Sequence, residues 1–423
     1  MRRAFIAVLL AAAALGATLP IDATVSEVTL AVPDRSNQTP WAAALGPFVA
    51  VAWGAQPADG KLDVFVAVSR DSGRTFGPPV RANDIEGEAR LGGELPPRVA
   101  LVTRSGGAVP EIVVAYGSKT TGTSIKVSRS TDGGRTFSSA RELQAPGAAG
   151  DRGWHAMTID RAGAAHVMWL DHRAMVRGKA ESHEHHEAAA MDGAAMAQRS
   201  GLYYAQDTAG AQEREVLKGV CYCCKVAMAT GADGAIIAAW RHVYAGNIRD
   251  IAFTISGDGG RTFAAPQRLS EDRWQLAGCP DDGPALAVDG AGVIHAVWPT
   301  VIGGDKPEGA IFYASSRDGR SFSSRTRVPT LGSPKPMHPQ IVSDGAGKLA
   351  VAWDEVIGGV RQASMRAIRF DNAGQPAFGA ITRLGTPDAT SSYPMLVSTP
   401  AGLLAVYVEG RTGASSVRVK AGS

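Results

Sequence analysis

The stretch "SGDGGRTF" at residues 256–263 has the composition of a tight turn between two β-strands. The carboxylate of Asp258 can accept hydrogen bonds from backbone N–H groups two residues on, and Gly260 can adopt a positive φ without steric cost. Phe263 then places an aromatic ring beneath the turn. Similar stretches recur as "SRDSGRTF" at 69–76, "STDGGRTF" at 130–137 and, shortened, "SRDGRSF" at 316–322. The repetition predicts one structural unit that is used several times along the chain.

A second repeated element is a short apolar run that ends in an aromatic residue, as in "IIAAW" and "IHAVW". Each run is about five residues long and is bounded by Gly, Asp or other polar residues, which is typical of a strand rather than a helix. The terminal aromatic residues are Trp53, Tyr116, Trp169, Trp240, Trp298, Trp353 and Tyr407. We interpret them as packing residues of the repeat and not as a platform for a sugar.

Each repeat divides into four short strands. In the fourth repeat, strands a to d read "KVAMAT", "AIIAAW", "DIAFTIS" and "PQRLS", with the turn element between c and d. Repeats of four short strands in about 40–60 residues are what a β-propeller blade requires. We therefore predict an all-β chain in which 24–423 form a single propeller of seven blades. The last repeat supplies only three strands, so we expect the N-terminal "EVTLAV" (27–32) to complete it and close the ring.

The turn element resembles the Asp-box, S-x-D-x-G-x-T-[WF], of the sialidase-like (BNR-repeat) β-propeller superfamily. Three full copies and one degenerate copy spread this resemblance over nearly the whole mature chain. Sialidases have six blades, so six is the alternative to the seven that we count. The stretches Cys221-Tyr222-Cys223-Cys224 and Gly278-Cys279-Pro280 further resemble a subset of exported bacterial members that carry C-x-C-C followed by G-C-P.

The composition and the N-terminal segment indicate where the protein works. The formal net charge of the 423 residues is only +3, and no basic run is interleaved with aromatic residues, so we expect no nucleic-acid partner. Residues 1–20 combine two arginines, an apolar run and small residues, which is typical of a secretory signal peptide. No cysteine follows the run to carry a lipid. We expect a periplasmic or secreted protein with no membrane span after signal cleavage.

The propeller topology predicts which residues converge. Because the chain runs alternately down and up a blade, the d-to-a connections and the b-to-c loops share one face, and the Asp-box turns lie on the other. The last residues of each d-to-a connection crowd the central axis, where we expect a funnel. The residues that this topology brings to the funnel are Arg98, Trp154, His155, Cys221, Cys223, Cys224, Cys279, His338 and Tyr393.

The longest b-to-c loop belongs to blade 3, occupies 171–200 and opens onto the funnel face. It is rich in histidine and methionine, so it could capture a metal ion and pass it to the thiols. The alternative is a solvated loop without a ligand. Its candidate ligands are His172, His183, His185, His186, Met191 and Met196.

The four cysteines form the candidate metal site of the funnel. Thiolates, imidazoles and thioethers select soft and borderline metals, and the Cys-x-Cys-Cys spacing can wrap a turn around one ion while Cys279 reaches in from the next blade. Copper is favoured because the chain is expected to be exported and the neighbouring loop carries His and Met; zinc, which four thiolates also suit, is the alternative. His155 or His338 could replace a thiolate, and Arg249 and Asp250 could support the ligands. We therefore predict metal handling or sensing, with a periplasmic metal-donor or metal-acceptor protein as partner.

Disulfides are the competing interpretation of the cysteines, since exported proteins commonly form them. Cys221 or Cys224 bridging to Cys279 would join neighbouring blades, whereas a Cys223–Cys224 bridge falls below the usual Cα separation. Pairing all four is difficult, which leaves a redox-active or metal-binding pair. With the cysteines as staples alone, the chain would be a non-catalytic propeller that binds a glycan or a protein.

The Asp-box resemblance also implies a glycosidase of the exo-α-sialidase type. Such enzymes need an arginine triad, a tyrosine nucleophile polarised by a glutamate, and an aspartate acid/base. The candidates here are Arg98, Arg249, Tyr393 and Asp250, with Glu94 as a further acid. The [FY]-R-I-P stretch of sialidases is missing, and no spacing assigns the triad. Because a fold alone does not carry a function, we favour metal binding over catalysis.

Overall fold

The computed structural model describes residues 27–104, 106–107, 109–120, 122–145, 147, 149–175, 193–304, 306–411 and 413–422. Their regular structure is almost entirely β, arranged as seven antiparallel sheets of four or five strands. The innermost strand of each sheet contacts the innermost strands of the two neighbouring sheets, so the sheets form a closed ring. The prediction of a seven-bladed propeller is confirmed, and the six-bladed alternative is wrong.

The strands are numbered in chain order and run from the axis outward within each blade. Blades 1 to 3 consist of β2–β5 (Ser36–Leu45, Phe48–Gln56, Asp63–Ser69, Val80–Arg81), β6–β9 (Arg98–Val102, Glu111–Lys119, Thr123–Ser130, Arg141–Glu142) and β10–β13 (Arg152–Ile159, Ala165–Asp171, Gly201–Gln206, Arg214–Lys218). Blades 4 and 5 consist of β14–β17 (Ala227–Thr230, Ile236–Arg241, Ile251–Ser256, Gln267–Arg268) and β18–β21 (Ala285–Val288, Ile294–Ile302, Glu308–Ser316, Thr326–Arg327). Blade 6 consists of β22–β26 (Met337–Ser343, Leu349–Ile357, Val360–Phe370, Pro376–Phe378, Thr382–Arg383), and blade 7 of β27–β29 with β1 (Ser391–Thr399, Gly402–Arg411, Ala414–Ala421, Glu27–Leu30).

Blade 7 combines the two ends of the described chain. Strand β1 pairs antiparallel with β29, with Glu27 opposite Lys420 and Leu30 opposite Val417. The N-terminal strand therefore completes the last blade, as the three-strand count of that repeat predicts.

The hydrophobic core lies between the blades. Each b strand is buried on both faces because a blade stands on either side of it, which explains why these strands read as continuous apolar runs. One apolar cluster fills each of the seven interfaces. These clusters include Trp53 and Val406 (blades 7 and 1), Val66 and Ile112 (1 and 2), Val113 and Trp169 (2 and 3), Met168 and Trp240 (3 and 4), Phe253 and Trp298 (4 and 5), Tyr313 and Trp353 (5 and 6), and Ala352 and Tyr407 (6 and 7).

The seven aromatic residues of the b strands are fully buried, and each donates a hydrogen bond. A buried indole N–H or phenol O–H needs such a partner, and the repeats supply different ones. The pairs are Trp53 with Asn37, Tyr116 with Glu88, Trp169 with Asp171, Trp240 with His242, Trp298 with Asp272, Trp353 with Glu355, and Tyr407 with Glu27. These residues hold the blades together and are not available to stack on a ligand.

The Asp-box turns differ in one detail from the sequence prediction. Asp258 accepts hydrogen bonds from the backbone N–H and the hydroxyl group of Thr262, at 2.9 and 2.6 Å, so its backbone donor lies four residues on and not two. Ser256 donates a further bond to the carboxylate over 2.8 Å. Gly260 has a φ of +82°, and a Cβ there would collide with the ring of Tyr204. Glycine is therefore required by both the conformation and the packing of the turn.

A kink at the start of four innermost strands shapes the axis. Thr39, Trp154, His338 and Tyr393 have φ values between 47° and 53°, and the pairing register of each strand shifts at that point. Such bulges turn a side chain out of the ladder, and non-glycine residues adopt positive φ only where the surroundings impose it. The kinks bring these side chains to the funnel end of the axis.

The blade 3 insertion lies between β11 and β12. It begins with a short 3-10 turn, Arg173–Met175, and ends with the one-turn helix α1, Gly193–Gln198. His183, His185, His186 and Met191 lie outside the described residues, as does the predicted signal peptide at 1–20. Within the described ranges, no helix is both long and apolar enough to cross a lipid bilayer.

Candidate functional site

Three of the four cysteines meet in the connection between β13 and β14. A turn at residues 222–223 brings Cys221 and Cys224 together, and the backbone N–H of Cys221 bonds to the carbonyl of Arg241 over 2.9 Å. The sulfur of Cys221 lies 3.8 Å from that of Cys223 and 3.7 Å from that of Cys224, and the sulfurs of Cys223 and Cys224 lie 3.9 Å apart. All three residues are buried. We call Cys221, Cys223 and Cys224 the thiol cluster.

Cys223 forms a disulfide with Cys279, and Cys221 and Cys224 are free. The expectation that Cys221 or Cys224 would bridge to Cys279 is wrong, because the turn directs Cys223 toward the connection that precedes blade 5. The Cα atoms of the pair are 6.2 Å apart, within the usual range. The disulfide thus joins the connections that lead into blades 4 and 5 and leaves two buried thiols beside it.

Two buried arginines stand next to the free thiols. Nη1 of Arg249 lies 2.9 Å from the sulfur of Cys221, while its Nε donates to the carbonyl of Leu276. The guanidinium of Arg241 donates its hydrogen bonds to backbone carbonyl groups, those of Asp282, Pro299 and Arg249. In the described part of the chain neither guanidinium forms an ion pair with a carboxylate. Among the described residues, the sulfur of Cys221 is therefore the hydrogen-bond partner of Arg249 that can become an anion.

The pKa values of the two free thiols are shifted in opposite directions. A hydrogen bond from Cys224 lowers the pKa of Cys221 to about 7, and the positive charges of Arg249 and Arg241 contribute in the same direction against the effect of burial. Burial raises the pKa of Cys224 well above the usual value, and a negative Cys221 raises it further. Cys221 is therefore the more readily ionised of the two thiols, and Cys224 is the one that keeps its proton.

Helix α1 covers the thiol cluster from the insertion side. Ala197 packs against the three cysteines and Val243. A Cβ on Gly193 would collide with Nη2 of Arg249, so the helix approaches the site closely. Met196 lies on the same helix and is half-buried. The described end of the His/Met-rich insertion is thus in contact with the cysteines.

The histidines expected to assist the thiols lie elsewhere. His338 holds a carboxylate oxygen of Asp354 through Nδ1 at 2.8 Å, and His155 bonds through Nε2 to the carbonyl of Ala115 at 3.1 Å. His172 packs its ring 5.1 Å from that of Trp154. None of these rings belongs to the group of Cys221, Cys223 and Cys224, whose sulfur atoms lie within 4.8 Å of one another. Burial lowers the pKa of His155 to about 3 and that of His172 to about 4, so both are neutral.

A second cluster, of buried charges, fills the axis beside the thiols. The ammonium group of Lys225, next in sequence to Cys224, lies 2.9 Å from a carboxylate oxygen of Glu94 and 3.6 Å from one of Asp282. The backbone N–H of Lys225 also donates to Glu94, over 3.0 Å. Asp282 in turn accepts the backbone N–H of His338. We call Glu94, Lys225, Asp282, His338 and Asp354 the axial charge cluster.

The pKa directions within this cluster follow from burial and pairing. Burial, reinforced by Glu94, raises the pKa of Asp282 to about 6. Burial acts in the same sense on Glu94, but Lys225 and His338 outweigh it and keep the pKa of that carboxyl below its usual value. Asp354 raises the pKa of His338 against its burial. The three carboxyl groups of the cluster are therefore balanced by Lys225, His338 and, through its ion pair with Asp354, Arg361.

The four candidate glycosidase residues each have their own close partners. Arg98 stacks over the ring of Trp41 at 3.8 Å and donates to the carbonyl of His155, and Arg249 faces Cys221. Asp250 pairs with Arg268 and not with its neighbour Arg249. The Tyr393 ring packs 4.3 Å from that of His338.

The central axis has little space for a substrate beside the axial charge cluster. The cavity lined by Glu94, Lys225, His338 and Tyr393 has a volume of only about 20 Å³. That volume is close to the space of one water molecule and far below that of a sugar ring.

Several residues of the site are not apparent in the sequence pattern. Lys225 directly follows Cys224, and Asp282 lies three residues after Cys279, so their closeness to cysteines in the sequence was the available signal. Arg241 ends the apolar run of blade 4, where a charged residue is easily taken for the edge of the strand. Glu94 lies in the connection between blades 1 and 2 and reaches Lys225 only because that connection extends to the axis.

Comparison with known proteins agrees with the fold. No protein-family model matches the chain, and no curated protein matches its sequence. Solved structures with a similar fold include an α-L-arabinanase from Penicillium chrysogenum in complex with arabinobiose, at 15% identity over 81% of this chain and 97% of that one, with a TM-score of 0.50.

Two further matches are more distant in shape. They are an α-L-arabinofuranosidase from Fusarium graminearum (12% identity, 93% of this chain and 96% of that one, TM-score 0.48) and the Hadza microbial sialidase Hz136 (17% identity, 85% and 73%, TM-score 0.48). The resemblance to sialidase-like propellers is one of fold. It says nothing about a reaction of this chain.

Proposed function

We propose that this protein binds a soft metal ion, Cu(I) in the first place, through the thiol cluster, and acts in metal handling rather than in hydrolysis. The observation that carries the proposal is the spacing of the sulfur atoms of Cys221, Cys223 and Cys224, which is 3.7–3.9 Å. At a metal–sulfur distance of about 2.3 Å, the edge of a tetrahedral sulfur shell is about 3.8 Å. The three sulfurs therefore already have the separations that a shared ion requires.

The charges around the cluster support an anionic ligand set. Arg241 and Arg249 are 1% and 0% exposed, and a buried charge without a partner is strongly destabilising. Three thiolates and one Cu(I) carry a net charge of about −2, which two guanidinium groups would balance. Arg249 then acts as a direct support of the ligand Cys221.

The oxidation state decides whether the site is complete. In the disulfide form Cys223 is not a thiolate, so two free thiols remain, and reduction of the Cys223–Cys279 bond supplies the third. Cu(I) accepts a three-sulfur shell, whereas a structural zinc site takes four ligands and would have to recruit Cys279. The three-sulfur geometry thus favours copper, and zinc remains the second metal to test.

Metal content and thiol count test the proposal together. The mature chain is expressed with export, reduced, freed of metal and titrated with Cu(I) or Zn²⁺ under anaerobic conditions. We expect about one Cu(I) per chain, held against a weak competing chelator, and a loss of at least 100-fold in affinity for Cys224→Ser. Cys224→Ser that binds Cu(I) as the parent does would overturn the proposal.

A further inference from the structure

A large cleft opens beside the disulfide, on the face of blades 4, 5 and 6 that carries the d-to-a connections. Its volume is about 930 Å³, within the range of ligand-binding clefts. Trp274, Leu276, Pro299, Met337 and Lys335 line it, together with Cys279. One half of the Cys223–Cys279 disulfide, Cys279, therefore belongs to the wall of the cleft.

The two sulfurs of that disulfide have different surroundings. Cys279 is exposed, whereas Cys223 is buried with the other members of the thiol cluster. A thiolate attacks a disulfide along an open approach to one sulfur, and the other sulfur leaves. Only Cys279 offers such an approach from solution.

We propose that this cleft is a thiol–disulfide exchange site that takes a dithiol reductant. One thiolate of the dithiol attacks the sulfur of Cys279, the Cys223–Cys279 bond breaks, and Cys223 leaves as a thiolate within the thiol cluster. The second thiol of the reductant then attacks the mixed disulfide on Cys279 and releases it as a thiol. The protein gains two electrons and one proton, which Cys279 carries; the second proton of the dithiol goes to solvent, and the dithiol leaves as a disulfide.

The direction of the exchange links the cleft to the proposed metal site, and this link rests on the proposed function. Attack at Cys279 delivers the new thiolate to Cys223, which stands 3.8 Å from the sulfur of Cys221 and 3.9 Å from that of Cys224. The reductant is thus oxidised in the cleft, and the third metal ligand, the thiolate of Cys223, forms within the buried thiol cluster. Reduction and metal loading can occur without exposure of the buried thiols.

The negative charge of Asp281 affects the approach of a thiolate to Cys279. One of its carboxylate oxygens belongs, with the sulfurs of Cys223 and Cys279, to a group whose members lie within 4.8 Å of one another. A negative charge at this distance repels an incoming thiolate. Asp281 has a φ of 51°, which asparagine also tolerates, so Asp281→Asn removes the charge without changing the backbone.

The exchange is tested on the folded, metal-free, oxidised chain with dithiothreitol as the dithiol. Samples are quenched, unfolded and alkylated, and mass spectrometry counts the thiols on each cysteine. We expect reduction at a rate proportional to dithiothreitol concentration while circular dichroism stays unchanged. With the anionic thiol glutathione as the attacking group, Asp281→Asn is expected to react about two- to fivefold faster. A rate that is independent of dithiothreitol concentration and equals the rate of global unfolding would overturn the proposal.

Two single variants identify the attacked sulfur. Cys223→Ser leaves Cys279 free, and oxidised glutathione is expected to form a mixed disulfide on it. Cys279→Ser leaves Cys223 buried, and glutathionylation there should be at least tenfold slower. Equal rates would contradict the assigned direction. Fast native reduction without Cu(I) binding would refute only the metal proposal, whereas binding of Cu(I) only after unfolding and refolding in reductant would refute only the exchange.

Discussion

Nη1 of Arg249 lies 2.9 Å from the sulfur of Cys221, so a fully buried guanidinium has a thiol group, and no carboxylate of the described residues, as its close polar partner on that side. Cations beside a cysteine favour its thiolate form, which is both the metal ligand and the nucleophile. The sequence suggests Arg249 as a support of the thiol ligands but does not identify Cys221 as its partner, since Arg249 follows Cys221 by 28 residues and lies in a different loop.

Replacement of Arg249 by glutamine should raise the pKa of Cys221. In the parent that pKa is about 7, through the hydrogen bond from Cys224 and then through Arg249 and Arg241, and the variant loses one of these charges. We expect the thiolate absorbance near 240 nm to titrate about one pH unit higher. Arg249→Lys, which keeps a positive charge, is the matched control and should shift the curve less. Identical titrations of parent and glutamine variant would contradict a role for Arg249.

Replacement of Cys279 by serine should remove the need for a reductant in metal binding. Without its partner, Cys223 is a free thiol beside Cys221 and Cys224, so the three-sulfur group is complete from the start. We expect Cys279→Ser to bind Cu(I) directly after purification, while the oxidised parent binds at least tenfold less. Copper per chain, measured with and without prior reduction, checks this. If prior reduction increases copper binding equally in both proteins, the disulfide is not what restricts the site.

The disulfide should also contribute measurably to stability. It closes a loop of sequence separation 56, for which the chain-entropy model gives about 4 kcal/mol, and engineered removals of such bonds cost about 2–5 kcal/mol. Cys279→Ser is therefore expected to unfold at a lower urea concentration than the oxidised parent. The reduced parent is the control and should resemble the variant.

Substitutions of Lys225 and Glu94 should have strongly non-additive effects on the free energy of unfolding. Both side chains are almost fully buried, and Lys225→Met leaves the carboxylate of Glu94 without its main partner, which costs about 3–5 kcal/mol. Glu94→Gln keeps an acceptor for the backbone N–H of Lys225, so the double variant should recover most of the loss. Urea unfolding of the four proteins of this cycle gives the coupling energy. Additive losses would show that the pair is not a unit.

Acid should weaken the Asp-box turns. Hydrogen bonds from the hydroxyl and backbone N–H of Thr75 lower the pKa of Asp71 to about 2, and threonine bonds in the other two full boxes lower those of Asp132 and Asp258. A folded-state pKa below the unfolded one means that the contribution is complete above about pH 4 and is lost as the pH falls through the folded value. We expect Tm to fall between about pH 4 and 2, and less steeply in the triple Asp→Asn variant. The exposed Asp388→Asn is the control and should keep the parent's slope.

Glycosidase assays should show no turnover. Arg98, Arg249 and Tyr393 are held by different partners, and the axial cavity of about 20 Å³ is too small for a sugar. Fluorogenic sialosides and arabinosides are therefore expected to remain intact at micromolar protein. Cleavage that is abolished by Tyr393→Phe would contradict this conclusion.

The repeat made most of the fold predictable. Asp-box turns and b-strand aromatics recur at regular positions, and each carries a local physical reason, so blade number and ring closure follow from counting. The partner of Cys279 could not be deduced, because Cys221, Cys223 and Cys224 are interchangeable until the turn at 222–223 fixes their directions. The axial charge cluster was equally hidden, since Glu94 and Lys225 meet across 131 residues and neither interrupts a strand pattern.

The pairing between β1 and β29 determines when the ring of blades can close during synthesis. Strand β1 has four residues and is the first strand of the described chain, whereas its ladder partner β29 is the last. Until β29 has been made, β1 has no ladder partner, and blade 1 has no neighbour on the side of blade 7. Contacts between such distant segments form slowly, since a long loop must close first. The ring can therefore close only after β29 has been made, and its closure depends on one short ladder in blade 7.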